Sequence, residues 1–177
     1  MSNDTTREFR NALGRFATGI AIVTADVDGV RLGSTISSFN SVSLDPPLVL
    51  FSLIKKSFGF EKWKAATSYC IAILSESQRE LSDRFAKAGA DKWNGMVDLV
   101  GKNGAPKVPD AICYFECEPY STSDGGDHEI FVCRVTHFHA VPEHRPSLIF
   151  FSGKYHQLVP LGGDSRPPPE NLWLHGW

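Results

Sequence analysis

A dense run of hydroxyl side chains lies between Gly33 and Pro47 and is the segment best suited to binding a ligand. A strand that buries one face carries apolar residues at alternate positions, whereas the hydroxyls here fall on both faces. They belong to Ser34, Thr35, Ser37, Ser38, Ser41 and Ser43. Small donors beside backbone N–H groups suit a phosphate, a polyol chain or the polar edge of a flat heterocycle. A polar edge strand without a ligand explains the same composition, so the residues alone leave both interpretations open.

Two histidines, His137 and His139, alternate along one face of a predicted strand and raise the question of a metal site. Two ligands without a nearby carboxylate or cysteine make a poor site. Cys113 and Cys117 lie on another predicted strand, where four residues span roughly 13 Å and are too far apart to share a zinc ion. We therefore predict no metal, and we interpret the cysteines as buried, reduced thiols.

Strands must position the hydroxyl segment, and the sequence predicts several of them. Asp28-Gly29 is a strong hairpin signal between two strands, and Pro46-Pro47 marks a break before a strand that is apolar on both faces. Two long strands flank the segment 123–127, and a final strand with a turn covers 147–158. Short strands with few helices favour an antiparallel barrel over a doubly wound sheet. No Gly-x-Gly-x-x-Gly motif follows a strand, so the usual dinucleotide-binding route is missing.

Helices are predicted at three places around these strands. An opening helix carries Phe9, Leu13 and Phe16 at three- and four-residue spacing, and we expect it to lie across the barrel. A short helix is predicted near 57–66 and a longer one near 76–88. Residues 89–110 are rich in Gly, Asp, Lys and Pro, so we expect an irregular surface loop that is long enough to have a role.

Composition bounds the function without identifying it. A chain of 177 residues with 42% apolar content forms one sizeable core, which we assign to residues 1–160, followed by a Pro/Gly-rich tail at 161–177. A net charge of -2 and a pI near 6.3 give little electrostatic support for binding nucleic acid. No secretory signal and no run of roughly 20 apolar residues is present, so we expect a cytoplasmic protein without a membrane span.

Four ordered motifs together resemble the flavin reductase-like family of split-barrel proteins, which includes small reductase components of two-component flavin monooxygenases. The motifs are residues 9–25, 37–53, 125–135 and 150–158, and the resemblance covers roughly residues 7–158. It implies a mainly β fold, an FMN-binding split β-barrel that is antiparallel and Greek-key-like with a few peripheral helices. It also implies hydride transfer from NADH or NADPH to FMN or FAD, a homodimer and a transient oxygenase partner.

The resemblance carries over to particular flavin contacts. For the ring and ribityl chain it implies Ser34, Thr35, Ile36, Ser37, Ser38 and Ser43, and for the phosphate Ser52, Leu53, Lys56 and Ser57. Lys56 supplies a positive charge, and Ser57 offers a hydroxyl and a helix-start amide, although lysines on a loop are also ordinary solvated charges. Arg84 and Phe85 match an Arg-Phe pair of the family, with Arg84 near the phosphate and Phe85 either a contact or core.

Two further residues are implied to border the nicotinamide. His128 ends a Gly-Asp-His motif that otherwise reads as a hairpin connection, and its imidazole would orient the nicotinamide without acting as an acid or base. Tyr155 resembles the family's C-terminal aromatic residue, or else caps the final strand. Direct hydride transfer needs two stacked rings at close distance, which explains why no nucleophile–base–acid triad is visible.

Three interpretations of the activity stay open at this point. The main one is a reductase that releases reduced flavin to an oxygenase. The second is a flavoprotein with tightly bound flavin that acts on another substrate, and the third is a flavin-binding module without turnover. The sequence also leaves open FMN against FAD and NADH against NADPH, since the adenylate half of FAD would lie in solvent or over the loop at 89–110.

Overall fold

The computed structural model describes residues 3–89, 91–142 and 145–159. The helices in this part of the chain are α1 (Asn3–Leu13), α2 (Phe60–Ala65) and α3 (Arg79–Ala86), with a 3₁₀ turn at Glu76–Gln78. The strands are β1 (Thr18–Gly19), β2 (Ala21–Val27), β3 (Val30–Ile36), β4 (Asn40–Leu44), β5 (Pro47–Ile54), β6 (Tyr69–Ile73), β7 (Leu99–Val100), β8 (Pro106–Lys107), β9 (Cys113–Gly125), β10 (His128–Ala140), β11 (Ile149–Phe151) and β12 (Lys154–His156). The predicted mainly β class is confirmed.

One antiparallel sheet of seven strands, in the order β3-β2-β6-β9-β10-β5-β4, forms the body of the fold. Hairpins join β2 to β3, β4 to β5 and β9 to β10. The chain crosses from β5 to β6, and β10 later returns to pair with β5, which is a Greek-key-like path. The hairpin predicted at Asp28-Gly29 is confirmed, since both residues have the positive φ of a tight turn.

The sheet curls so that the end of β3 approaches β5. These two strands are not neighbours in the sheet, and a side chain just after β3 connects them instead. The Ser38 hydroxyl oxygen accepts a hydrogen bond from Ser52 N at 3.0 Å and donates to Ser52 O at 3.1 Å. Backbone groups that lack a strand partner are thereby satisfied. The result is the split barrel, with its seam beside the hydroxyl-rich segment.

Two apolar clusters lie on opposite faces of the sheet, because successive strand residues point to opposite sides. Val23, Phe51 and Phe131 belong to the cluster inside the barrel. Ile22 and Phe85 belong to the outer cluster, in which α3 covers β2 and β3. Burial of each large side chain contributes roughly 1.5–3 kcal/mol, so the outer cluster fixes α3 against the strand that carries the hydroxyls.

The segment 89–110 is more ordered than predicted. It contains the antiparallel pair β7–β8, which composition did not reveal because each strand has two residues. The Asn103 side-chain amide donates to Tyr69 O at 2.9 Å and to Cys117 O at 3.1 Å. Lys107 Nζ lies 3.3 Å from the buried carboxylate of Glu116. The second half of the segment is therefore fixed to the sheet.

The opening helix is present, but the prediction that it packs across the barrel is wrong for the single chain. Phe9, Leu13 and Phe16 are 56%, 59% and 76% exposed. The helix is held at its end, where Ser152 N donates to Gly14 O at 2.8 Å. Its amphipathic pattern therefore marks an apolar face that the other described residues leave exposed.

The predicted tail at 161–177 lies outside the described residues. Within the residues that are described, no helix is both long enough and apolar enough to cross a membrane.

Candidate active site

A small cavity of about 220 Å³ opens at the seam between β3 and β5. Residues 34–38 line one side, residues 52–54 the other, and Ser57 and His128 complete the wall. The seam therefore brings His128, which the resemblance places at the nicotinamide, together with eight residues that it implies as flavin contacts: Ser34, Thr35, Ile36, Ser37, Ser38, Ser52, Leu53 and Ser57. Ser43 is not among them, because it lies on β4 beyond a register shift between Ser41 and Ser43.

The hydroxyls in this cavity are not equivalent. Ser38 uses its hydroxyl to close the seam, and Thr35 Oγ1 donates to Ser82 O on α3 at 2.6 Å. Ser37 is exposed, and within the described residues its hydroxyl has no hydrogen-bond partner. Ser34 Oγ makes one long contact of 3.5 Å to Thr35 O, at the limit for a hydrogen bond. Ser34 and Ser37 are therefore the hydroxyls most available to a ligand.

Ser57 carries a buried polar atom without a partner. Its Oγ is shielded from solvent and makes no hydrogen bond with the described residues. A buried unpaired hydroxyl costs roughly 1–3 kcal/mol, and a ligand acceptor or donor at this position removes that cost. Ser57 Oγ thus fits a ligand such as a phosphate.

The prediction that Ser57 offers a helix-start amide is wrong. Ser57 N donates to Ile54 O at 2.9 Å, in a turn directly after β5. Helix α2 begins only at Phe60, with Gly59 at its N-cap in the left-handed region at φ 69°. The amide of Ser57 is therefore occupied by the turn, and its hydroxyl is the group left for a ligand.

A second, larger cavity of about 480 Å³ adjoins the first and shares Ser34, Ile54 and Ser57 with it. Its walls are residues 31–34, 56–58 and 86–89, together with Trp63 and residues 91–93. Lys56, for which the resemblance implies a phosphate contact, lines this cavity, and its ammonium forms no ion pair within the described residues. The two cavities form one continuous groove along the seam.

Phe85 packs against residues that line this groove but lines neither cavity itself. The side chain is fully buried and makes an edge contact with Trp93 at a ring distance of 5.2 Å. A Cβ atom at Gly33 would lie 2.4 Å from Phe85 Cε1, so glycine is required where β3 passes over the ring. Of the two predicted roles of Phe85, the core role matches its surroundings.

Arg84 does not line the groove, whereas Lys92, for which the sequence predicted no role, does. Arg84 donates to Asn94 O and lines neither cavity, so it ties α3 to the following loop. Lys92, which sequence reasoning missed, lines the larger cavity and donates to Gly33 O at 2.9 Å and Phe85 O at 2.7 Å. The signal that was present is its place beside Trp93 in a loop already expected to have a role.

His128 begins β10 and is held at the mouth of the small cavity. Its Nδ1 lies 2.7 Å from Asp127 Oδ1, so the neutral ring carries its hydrogen there and Nε2 is the atom available to a ligand. The hydrogen bond from His128, followed by its charge, lowers the pKa of the Asp127 carboxyl. Lys55 N donates to Asp127 O at 2.9 Å and Lys55 Nζ lies 2.6 Å from Asp124, which pins the turn to β5.

Tyr155 lines neither of the two cavities at the seam. Its hydroxyl group is 2.9 Å from Ser82 Oγ and donates to Asp83 at 2.8 Å, and the Arg79 guanidinium lies over its ring. Desolvation is the main cause that raises the pKa of Tyr155. A separate cavity with Glu76, Arg79 and His156 borders it, so a single chain does not bring Tyr155 to His128.

His137 and His139 share a cavity with the Glu116 carboxylate, contrary to the expectation that no carboxylate lies near them. That carboxylate is taken by Lys107 and by Asn103 N, which donates to Glu116 at 3.2 Å. Among the described residues, no group of three His, Cys, Asp or Glu side chains is arranged to hold a metal ion.

Comparisons with known proteins identify the family. Residues 13–159 match the model of the flavin reductase like domain. The chain is 41% identical over 133 residues to a Rhizobium meliloti protein described as a probable flavin reductase, which spans 75% of this chain but 43% of that protein. It is 36% identical over 155 residues to the flavin-dependent monooxygenase reductase subunit HsaB of Mycobacterium tuberculosis, covering 87% of this chain and 83% of the other.

A solved structure agrees with these relatives. The Streptomyces globisporus NADH:FAD oxidoreductase SgcE6, in complex with NAD and FAD fragments, superposes with a TM-score of 0.84 at 28% identity, covering 92% of this chain and 98% of the other. The chain therefore belongs to the flavin reductase-like family. The resemblance seen in the four motifs, the split-barrel fold and the predicted enzyme class, a flavin reductase, are confirmed.

Proposed function

We propose that this chain transfers hydride from NADH or NADPH to FMN or FAD bound at the β3–β5 seam and passes the reduced flavin to a separate oxygenase. The unpaired Ser57 hydroxyl in a cavity that also holds Ser34, Ser37 and His128 carries this proposal. The relatives named as monooxygenase reductase subunits support the choice of partner. The bound flavin supplies the hydride acceptor.

The residues of the chain have binding and positioning roles in this proposal. Ser34 and Ser37 offer hydroxyls to the ring edge and ribityl chain, and Ser57 with Lys56 faces the phosphate. His128 offers Nε2 to the carboxamide or phosphate of the nicotinamide nucleotide, while Asp127 fixes its ring. No proton at a side chain has to move for hydride transfer between two stacked rings, so geometry is the main contribution.

Removing two available hydroxyls is expected to weaken flavin binding. The double variant Ser37→Ala, Ser57→Ala loses donors whose ligand partners stay unpaired, at about 1–3 kcal/mol for each. Quenching of flavin fluorescence measures the affinity, and circular dichroism checks the fold. Ser123→Ala, on an exposed part of β9 outside both cavities, is the matched control. Unchanged affinity in the double variant contradicts the assignment of the seam as the flavin site.

We further propose that the chain is a homodimer. An exposed apolar face supports this assembly, because large apolar faces are seldom left in water; it is formed by Phe9 and Leu13 of α1 and by Phe16 just after the helix. Strand β5 supplies no further reason for a dimer, since Phe51 and Leu53 are buried within one chain. Light scattering is expected to give about twice the chain mass of 19.5 kDa, and Leu13→Ser is expected to lower it. A mass near 19.5 kDa at micromolar concentration contradicts the dimer.

We also infer a cytoplasmic location. All four cysteines are free, and burial raises the pKa of Cys70 to about 12. Reduced thiols and a nicotinamide reductant are typical of that compartment.

A further inference from the structure

The turn at residues 126–127, which joins β9 to β10, is held by more contacts than a tight hairpin needs. Gly126 lies in the left-handed region at φ 79°, and its N–H donates to Asp124 Oδ1 at 2.9 Å. These two features are enough for a turn between antiparallel strands. Lys55, the residue after β5, adds two contacts from a distant part of the chain. The additional contacts indicate a role beyond closing the hairpin.

Lys55 reaches this turn across the beginning of β10. Strand β10 lies between β5 and β9 in the sheet, and its first residue, His128, pairs with both neighbours. The Lys55 backbone N–H donates to Asp127 O at 2.9 Å, and the Lys55 ammonium lies 2.6 Å from Asp124 Oδ2. Lys55 therefore connects β5 to β9 over the start of the strand that carries His128.

The ion pair between Lys55 and Asp124 fixes the turn locally. Both oxygens of the Asp124 carboxylate are bound, Oδ2 by the Lys55 ammonium and Oδ1 by the Gly126 N–H. The hydrogen bond from Lys55, followed by that from Gly126, lowers the pKa of Asp124. The side chains of Lys55 and Asp124 are 32% and 77% exposed. A pair this exposed adds little to the stability of the whole protein, so the local geometry of the turn is what it determines.

His128 is the functional group whose position depends on this turn. Its Nδ1 lies 2.7 Å from Asp127 Oδ1, and Lys55 holds the backbone of the same aspartate. The His128 side chain is 42% exposed at the wall of the small cavity, so packing alone does not fix its ring. A displacement of about 1 Å can cost roughly 10²-fold in rate when it misaligns the reacting groups. The contacts of Lys55 therefore bear on the orientation of the imidazole.

We propose that Lys55 and Asp124 are positioning residues that hold the His128 imidazole in the orientation required by the nicotinamide. This inference rests on the proposed function, in which His128 offers Nε2 to the nicotinamide nucleotide. Neither Lys55 nor Asp124 lines the two cavities at the seam. Both residues act through the turn and not on a ligand.

Steady-state kinetics of single variants test this role. Lys55→Met and Asp124→Asn are each expected to lower kcat/KM for NAD(P)H by about two- to fivefold, the size expected for loss of a largely exposed ion pair. Flavin affinity is expected to stay unchanged. Lys55→Arg, which keeps the charge, is expected to remain near wild type. Arg134→Met is the matched control, because Arg134 and Glu118 form another ion pair between β9 and β10 outside both cavities.

A double-mutant cycle with His128→Ala separates positioning from a general structural role. If Lys55 acts through His128, Lys55→Met has no further effect on kcat/KM in the His128→Ala background. An effect of equal size in both backgrounds overturns the proposal, and so does an unchanged kcat/KM in Lys55→Met and Asp124→Asn. Flavin affinity that falls in Lys55→Met but not in Asp124→Asn means that Lys55 binds the flavin phosphate directly, which also overturns it.

NMR of the His128 imidazole in the ligand-free protein distinguishes failure of this role from failure of the proposed function. Lys55→Met is expected to shift or broaden the ring signals of His128, while those of His137 stay unchanged. This result in a protein that transfers no hydride supports the positioning of His128, and the proposed function fails. Unchanged His128 signals in Lys55→Met, with hydride transfer by the wild-type protein, overturn the positioning role and leave the reductase proposal standing.

Discussion

Replacing Phe85 with Ala is expected to destabilise the protein by about 3–5 kcal/mol, the usual cost of removing a large aromatic ring from a core. Phe85 is fully buried between α3 and β3, and Gly33 passes close over its ring. Urea unfolding followed by circular dichroism measures the free energy of unfolding. Phe85→Leu, which keeps most of the apolar volume, is expected to cost less than Phe85→Ala.

Gly33 allows a matched test of the same contact. Gly33→Ala is expected to cost about 1–3 kcal/mol, because its Cβ overlaps with the Phe85 ring. In the Phe85→Leu background the cost falls, since the overlapping ring atoms are gone, and a double-mutant cycle measures the difference. Loss of flavin affinity with little loss of stability in Phe85→Ala would instead identify Phe85 as a direct ligand contact.

His128→Ala is expected to lower kcat/KM for NAD(P)H by roughly 10²-fold, because a misplaced nicotinamide loses its close approach to the flavin. Flavin affinity is expected to change little, and hydride transfer stays measurable. Asp127→Asn is expected to have a smaller effect in the same direction, since it removes the carboxylate that holds the ring. His137→Ala, an exposed histidine outside both cavities, is the control.

A pH profile distinguishes this orienting role from acid catalysis. A general acid contributes about 10²–10⁴-fold, and its loss removes one essential ionisation from the profile. The orienting role predicts that no essential ionisation disappears in His128→Ala. A flavin affinity that falls as much as kcat/KM would place His128 in the flavin site and contradict its assignment to the nicotinamide.

Local sequence signals were enough to predict an antiparallel barrel and to single out a segment that lines the groove. Asp28-Gly29 specifies a tight hairpin, and the strands on either side of it follow from their alternating pattern. The excess of hydroxyls after Gly33 indicated either a ligand site or a polar edge strand, because a half-buried strand does not need them on both faces. Composition and hydrophobic periodicity are local signals, so they indicate these features without knowledge of contacts between distant segments.

Contacts between distant segments determine what the sequence did not reveal. Ser38 and Thr35 look like ligand groups, but their hydroxyls serve Ser52 and Ser82, which approach only in the folded chain. Lys92 was missed for the same reason, since one of its carbonyl partners comes from β3 and the other from α3. Whether the exposed apolar residues of α1 are covered likewise depends on contacts outside the helix.

Anaerobic mixing of the protein with excess flavin and NADH or NADPH tests the central claim most directly. The decrease in flavin absorbance follows hydride transfer, and its amplitude counts the turnovers. The account predicts that a catalytic amount of protein reduces many equivalents of FMN or FAD, with a rate that falls in the Ser37→Ala, Ser57→Ala variant at limiting flavin. Reduction no faster than in the absence of protein, with flavin bound at the seam, would contradict it and indicate a flavin-binding module without turnover.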